Sequence, residues 1–111
     1  MGTFFHPITL IGPQGQQRTV GALVDTSKLF ASFPASLLVD LGVTELERRA
    51  DASLGHIEAE LEGHRLTIMC VFEADDEPAR IGRHTLDTFL LEADLEGERL
   101  EPKTFRLVQH F

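Results

Sequence analysis

A single cysteine, Cys70, stands in the whole chain, which excludes an internal disulfide and leaves the fold to be held by its core. Cys70 lies in the apolar run Leu66–Phe72, and no elbow motif or dedicated His or Asn accompanies it. It therefore reads as a buried free thiol in a strand, not as a nucleophile. Basic residues are scarce: ten Lys and Arg face eighteen Asp and Glu, for a formal charge of −8, and they form no dense cluster. That balance argues against a nucleic-acid or anionic-membrane partner. Nowhere do apolar residues continue for the width of a bilayer, and Met1–Pro13 has neither a positive n-region nor a long apolar stretch. No membrane partner is expected, and the expected location is the cytoplasm. Five histidines, at 6, 56, 64, 84 and 110, are scattered without the i, i+4 pairing of a helical zinc site, so no metal is expected. Ser27, Ser32 and Ser36 lack the Gly-x-Ser-x-Gly elbow of a serine nucleophile. Repeats, linkers and low-complexity stretches are missing too, so residues 1–111 are read as one domain, small enough that subunit association would help it.

What the chain does have is a regular supply of short apolar runs. Phe4–Leu10, interrupted by Pro7, reads as an edge strand or an irregular entry, not a central strand; Gly12-Pro13-Gln14-Gly15 reads as a turn into a second strand, Arg18–Val24. Pro34 and Gly42 bracket a short helix with Leu37, Leu38 and Leu41 on one face. Val43–Ala50 reads as a solvent-facing strand, Asp51-Ala52-Ser53 as a turn, and His56–Leu61 as a half-buried strand turning Ile57, Ala59 and Leu61 inward. Glu62-Gly63-His64-Arg65 turns into Leu66–Phe72, whose near-continuous apolar character predicts a core strand. Glu73–Pro78 is an acidic loop without calcium-loop spacing. Leu86, Phe89, Leu90 and Ala93 recur at helical spacing and predict a second helix over Thr85–Ala93. A turn at Gly97 and a last strand over Thr104–Phe111 complete the chain.

The stretch with chemistry in it is Ala22-Leu23-Val24-Asp25-Thr26-Ser27. An apolar run ends on one carboxylate, and two hydroxyl residues follow. Leu and Val favour a buried sheet whereas Asp and Ser favour turns, so the carboxylate is placed where a core strand leaves the interior. The hexapeptide also fits a purely structural role, with Asp25 starting a turn or capping a short helix through nearby backbone N–H groups.

Leu23-Val24-Asp25-Thr26-Ser27, followed by Phe33-Pro34 and Leu41-Gly42-Val43, resembles the retroviral-like (retropepsin-like) aspartic proteases. Bacterial members of that family commonly carry Leu-Val-Asp-Thr-Gly, a hydrophobic-Pro pair and a short helix ending in Leu-Gly. Arg80-Ile81-Gly82, Leu86 and the segment from Leu90 through Pro102 are similar to the family's C-terminal part in the same order, so the resemblance covers nearly the whole chain. It implies a mostly β fold, a closed retropepsin-like acid-protease barrel with one or two short helices and one lobe per subunit. It also implies a homodimeric endopeptidase acting on a peptide or protein substrate with no cofactor. Leu-Val-Asp-Thr occurs once per chain, so a two-fold dimer is required to bring two such carboxylates together. Like charges resist joint ionisation, so the pair shares a proton: one carboxylate activates water while the other protonates the carbonyl. The implied catalytic motif is Asp25, Thr26 and Ser27. Lys28, with Ala50, Asp51 and Ala52 at the flap tip, would contact substrate, and Thr26, Phe105, Leu107 and Phe111 would form the dimer interface.

Three residues depart from the family pattern. Ser27 stands where glycine is usual, Lys28 where a small residue is usual, and Arg80 where Leu or Ile is usual. The early arrival of Gly55-His56-Ile57 further predicts a shortened second flap strand. A Lys28 ammonium folded inward would favour ionised Asp25 and remove the shared proton, whereas one turned to solvent would leave the pair untouched. Arg80 is placed to pair with Asp75, Asp76, Glu77 or Asp25 itself. These departures define a second reading: a catalytically inactive relative acting as a dimeric peptide-binding or assembly module.

Overall fold

Phe4, Ile8 and Leu10 turn inward from one strand while Ala22 and Val24 do so from the next, giving the first hairpin a single apolar face. In the computed structural model, which describes residues 3–49 and 52–103, these strands are β1 (Phe4–Ile11) and β2 (Gln17–Val24). They pair antiparallel from Phe4↔Val24 to Ile11↔Gln17. The turn at Gly12-Pro13-Gln14-Gly15 is formed as expected, with the Gly15 N–H donating to the Gly12 carbonyl at 2.9 Å. The remaining elements are β3 (Ala31–Pro34), α1 (Ala35–Asp40), β4 (Glu47–Arg49), β5 (Ala52–Leu61), β6 (His64–Glu73), β7 (Arg80–Ile81), α2 (Arg83–Thr88), β8 (Leu91–Asp94) and β9 (Arg99–Pro102).

Strand pairing runs β1-β2-β7-β3-β6-β5, and β5 returns to β1 through Thr9↔Glu60, Leu10↔Ala59 and Ile11↔Glu58. The result is a mostly β, barrel-like circuit with two short helices. Its interior is filled by fully buried side chains that include Phe33, Leu10, Leu38, Leu61 and Ile81. The edge position expected of β1 holds for the half containing Pro7, which pairs only with β2, while Thr9–Ile11 is paired on both sides. Confining proline to the singly paired half avoids the loss of a ladder hydrogen bond. The exposed strand β4 hangs on the start of β5, and β8 and β9 form a separate hairpin.

Helix α1 ends as the sequence indicates. Gly42 adopts a left-handed φ of 83°, its N–H donates to the Val39 carbonyl at 3.0 Å, and the Val43 N–H donates to the Leu38 carbonyl at 2.9 Å. This is the paired hydrogen-bond pattern of a glycine-stopped helix. Leu37, Leu38 and Leu41 are buried and Val39 is exposed, so the predicted face is the packed one. The turn between β5 and β6 is the two-residue Glu62-Gly63, with φ of 51° and 82°, the mirror-image geometry that matches strand twist.

Four expectations are corrected. The second helix spans Arg83–Thr88, not Thr85–Ala93, because the chain reverses at Leu90 (φ 57°) and Leu91 enters β8 buried. Strand β6 is not buried throughout: Ile68 and Cys70 face the interior, Met69 and Val71 on the opposite face are only half-buried, and Leu66, on the same face as Ile68 but toward the β5–β6 turn, is exposed. The turn at Asp51-Ala52-Ser53 and the shortened flap strand are not found as such. Ala52 and Ser53 already belong to the ten-residue β5, which pairs with β6 without a break from Ser53 to Leu61, and the short arm of this hairpin is the three-residue β4. Ala50, Asp51 and the expected strand over Thr104–Phe111 lie outside the described residues.

Cys70 is a buried free thiol whose burial pushes its pKa up to about 12, which makes it inert as a nucleophile. Among the described residues, no helix is long and apolar enough to cross a membrane.

Candidate active site

Val24 is fully buried, and the next residue leaves the barrel. Asp25 stays tied to the sheet at its backbone: its N–H donates to the Ile81 carbonyl at 3.0 Å, extending the parallel pairing Leu23↔Arg80 and Val24↔Ile81 by one step. Thr26 and Ser27 then form a turn, closed by the Lys28 N–H donating to the Asp25 carbonyl at 3.2 Å. Beyond it, residues 28–30 lie directly against the start of α2. The Arg83 N–H donates to the Lys28 carbonyl at 2.9 Å, and the His84 N–H donates to the Leu29 carbonyl at 2.8 Å. Gly82 permits this approach, since a Cβ there would sit 2.6 Å from the Phe30 carbonyl oxygen and 2.8 Å from that of Leu29. Ile81-Gly82 is thus the clamp that fixes the Asp25 turn.

The Asp25 side chain is 17% exposed. Its Oδ1 accepts the Ser27 hydroxyl at 2.6 Å and the Ser27 N–H at 3.1 Å. Its Oδ2 faces Arg80 Nε at 3.7 Å, within ion-pair reach but beyond a hydrogen bond. The far side of the same guanidinium, Nη1, donates to Glu77 Oε1 at 3.2 Å. The Ser27 hydroxyl is the main reason that Asp25 is held below the usual carboxylate range. Burial opposes the effect, while the Ser27 N–H and the charges of Lys28 and Arg80 reinforce it. Both readings of the hexapeptide are therefore realised in one place: a turn stabilised by its own aspartate, and a carboxylate poised at the mouth of a core strand.

Asp25, Thr26, Ser27 and Lys28 stand together at this turn. Thr26 is exposed. Lys28 is exposed and makes no ion pair among the described residues. Of the expected flap-tip residues, Ala52 opens β5 opposite Arg49, while Ala50 and Asp51 lie outside the described residues, as do Phe105, Leu107 and Phe111. Of the partners open to Arg80, the structure selects Glu77 and Asp25. Asp75 instead accepts the Ser36 N–H at 3.0 Å, at the start of α1.

A groove flanks the turn, lined by Lys28, Leu29, Phe30, Ser32, Val71 and Glu73. Sequence reading did not single out Ser32, Val71 or Glu73 as groove residues. The parallel pairing Ser32↔Val71 brings the first two together from distant parts of the chain, and no local signal reports it.

The crystal structure of a retropepsin-like aspartic protease from Rickettsia conorii is similar, with a TM-score of 0.53 over 85% of this chain and 89% of that one, at 13% sequence identity. No family model and no curated protein matches the chain. The fold is that of the retropepsin-like aspartic proteases.

Proposed function

We propose that the protein is a homodimeric aspartic endopeptidase in which Asp25 from each subunit activates a water for attack on a peptide bond. The observation that carries this reading is the position of Asp25: a retropepsin-like fold presents Asp25-Thr26 at the exit of a core strand, beside a groove. In the dimer, the ionised carboxylate takes a proton from water as the oxygen attacks the carbonyl carbon. The protonated carboxylate donates to the carbonyl oxygen, and collapse of the tetrahedral intermediate sends a proton to the leaving amine. Thr26 would meet its counterpart across the two-fold axis, with Phe105, Leu107 and Phe111 contributing to the interface. Lys28 would line the substrate groove, and Ala50, Asp51 and Ala52 would cover it. The buried free thiol suits a reducing compartment, and the cytoplasm is the location we propose.

The test is dilution. Hydrolysis of a peptide library by the purified chain is expected to fall in specific activity through the concentration range where sedimentation shows dimers separating. Constant specific activity in fully monomeric protein would overturn the reading.

One observation favours the second reading, a dimeric peptide-binding or assembly module without hydrolysis. Asp25 Oδ1 already accepts the Ser27 hydroxyl, and both this bond and Arg80 favour the ionised form, which holds no proton to share. Peptide binding without turnover at any pH would select it. Substituting Ser27→Gly measures how strong this restraint is. Carboxyl 13C NMR should show Asp25 titrating at higher pH in the variant, because the largest stabiliser of its ionised form is gone. An unchanged titration would show that the 2.6 Å contact does not govern the carboxylate.

A further inference from the structure

We propose that Arg80 is a positioning residue for the Asp25 pair and that Glu77 sets how far its guanidinium commits to that pair. The inference rests on the aspartic-protease reading and deepens it. Arg80 is fixed from both sides at its backbone, since β7 lies between β2 and β3 with Leu23↔Arg80 on one side and Ser32↔Arg80 on the other. Its side chain is 19% exposed and reaches two carboxylates at once, Asp25 at 3.7 Å through Nε and Glu77 at 3.2 Å through Nη1. The Nε atom is buried without a hydrogen-bond partner. A buried donor left unmade is costly, and the carboxylate oxygen within ion-pair reach of it is Asp25 Oδ2. The guanidinium is therefore hydrogen-bonded to the acidic loop while it faces the site at ion-pair distance.

This placement has a consequence for the reaction. An arginine stays charged throughout the working range of a carboxylate pair, and a charge at this distance favours the ionised form. With one Arg80 per subunit, the shared proton is held less tightly. The singly protonated pair, the competent form, then occupies a window displaced toward acid pH. Glu77 acts in the opposite direction by drawing the guanidinium outward. Its side chain is 45% exposed, so its hold on Arg80 is weakened by solvent. The other groups facing Asp25 are Ser27 and Lys28 from its own turn. From α2, Arg83 and His84 reach residues 28 and 29 through backbone N–H groups, and their side chains are exposed.

The experiment uses the full chain carrying Arg80→Leu, Arg80→Lys or Glu77→Gln, with two readouts: the Asp25 carboxyl titration by 13C NMR and the pH profile of kcat/KM for peptide hydrolysis. Arg80→Leu is expected to move the titration and both limbs of the profile to higher pH. Arg80→Lys should recover part of the shift, and Glu77→Gln should move both readouts to lower pH. The loop position of Glu77 keeps the test alive if Arg80→Leu fails to fold. Titrations that superpose on the wild type in Glu77→Gln and in the folded Arg80 variants overturn the proposal. If the titration moves as expected but the wild type hydrolyses no peptide, the coupling of Arg80 to Asp25 stands and the protease reading falls.

Discussion

Replacing Asp25 with asparagine is expected to lower kcat/KM for peptide hydrolysis by roughly a hundred- to ten-thousand-fold, the range that positioned acid–base groups contribute. The substitution is close to isosteric. An amide oxygen at Oδ1 can still accept the Ser27 hydroxyl and N–H, and the backbone bond from residue 25 to the Ile81 carbonyl does not involve the side chain. What is lost is the capacity to take a proton from water and return it, on both subunits at once. The same variant reports on stability. Asp25 titrates below the usual carboxylate range, so its ionised form stabilises the fold at pH values above the unfolded carboxyl's pKa of about 4. That contribution disappears as pH falls through the folded value. Thermal melts should therefore show Asp25→Asn less stable than the wild type at neutral pH, with the gap closing in strong acid. Hydrolysis at the wild-type rate by Asp25→Asn would end the protease reading.

The largest effect on stability is expected from Phe33→Ala, about 3–5 kcal/mol for truncating a buried aromatic. Phe33 is completely buried and lies in β3 opposite Phe72 of β6, one residue before the Pro34 that leads into α1. Its removal empties the centre of the barrel and loosens β3, the strand that braces Arg80 from the side away from Asp25. Urea unfolding followed by circular dichroism measures the loss at a fixed protein concentration. Val39→Ala, at a helix position 64% exposed, serves as the comparison and should stay within about 0.5 kcal/mol of the wild type. Equal midpoints for the two variants would contradict the core described above.

Where local chemistry and tertiary pairing agree, the sequence is readable. The first hairpin, the glycine-stopped α1 and the exit of Asp25 from a core strand all follow from residues within a few positions of one another. The misreadings arise where distant pairing wins. Leu90 and Ala93 continue a helical spacing begun at Leu86, yet the chain reverses at Leu90 so that Leu91 can pair with Pro102. Asp51-Ala52-Ser53 has the composition of a turn, but Ser53 lies opposite Phe72, which keeps it in the strand. The site divides in the same way. The bond between Ser27 and Asp25 is local, and its residues are visible as a turn, whereas the choice of Arg80 among four carboxylates depends on β7 adding to β2. Glu77 and Asp25 emerge as its partners only once that pairing exists.

That pairing joins opposite halves of the polypeptide, and it orders events in time. A chain leaving the ribosome can zip β1 onto β2 as soon as Val24 is out, because the contacts are near neighbours along the strand. The residue after Val24 has no anchor until Ile81 has been synthesised and brought back across the sheet. Until then the acidic group is a solvated side chain at the end of the first hairpin, without its clamp and without Arg80 beside it. Assembly of the Asp25 turn thus waits until β7 has been made and has added to β2.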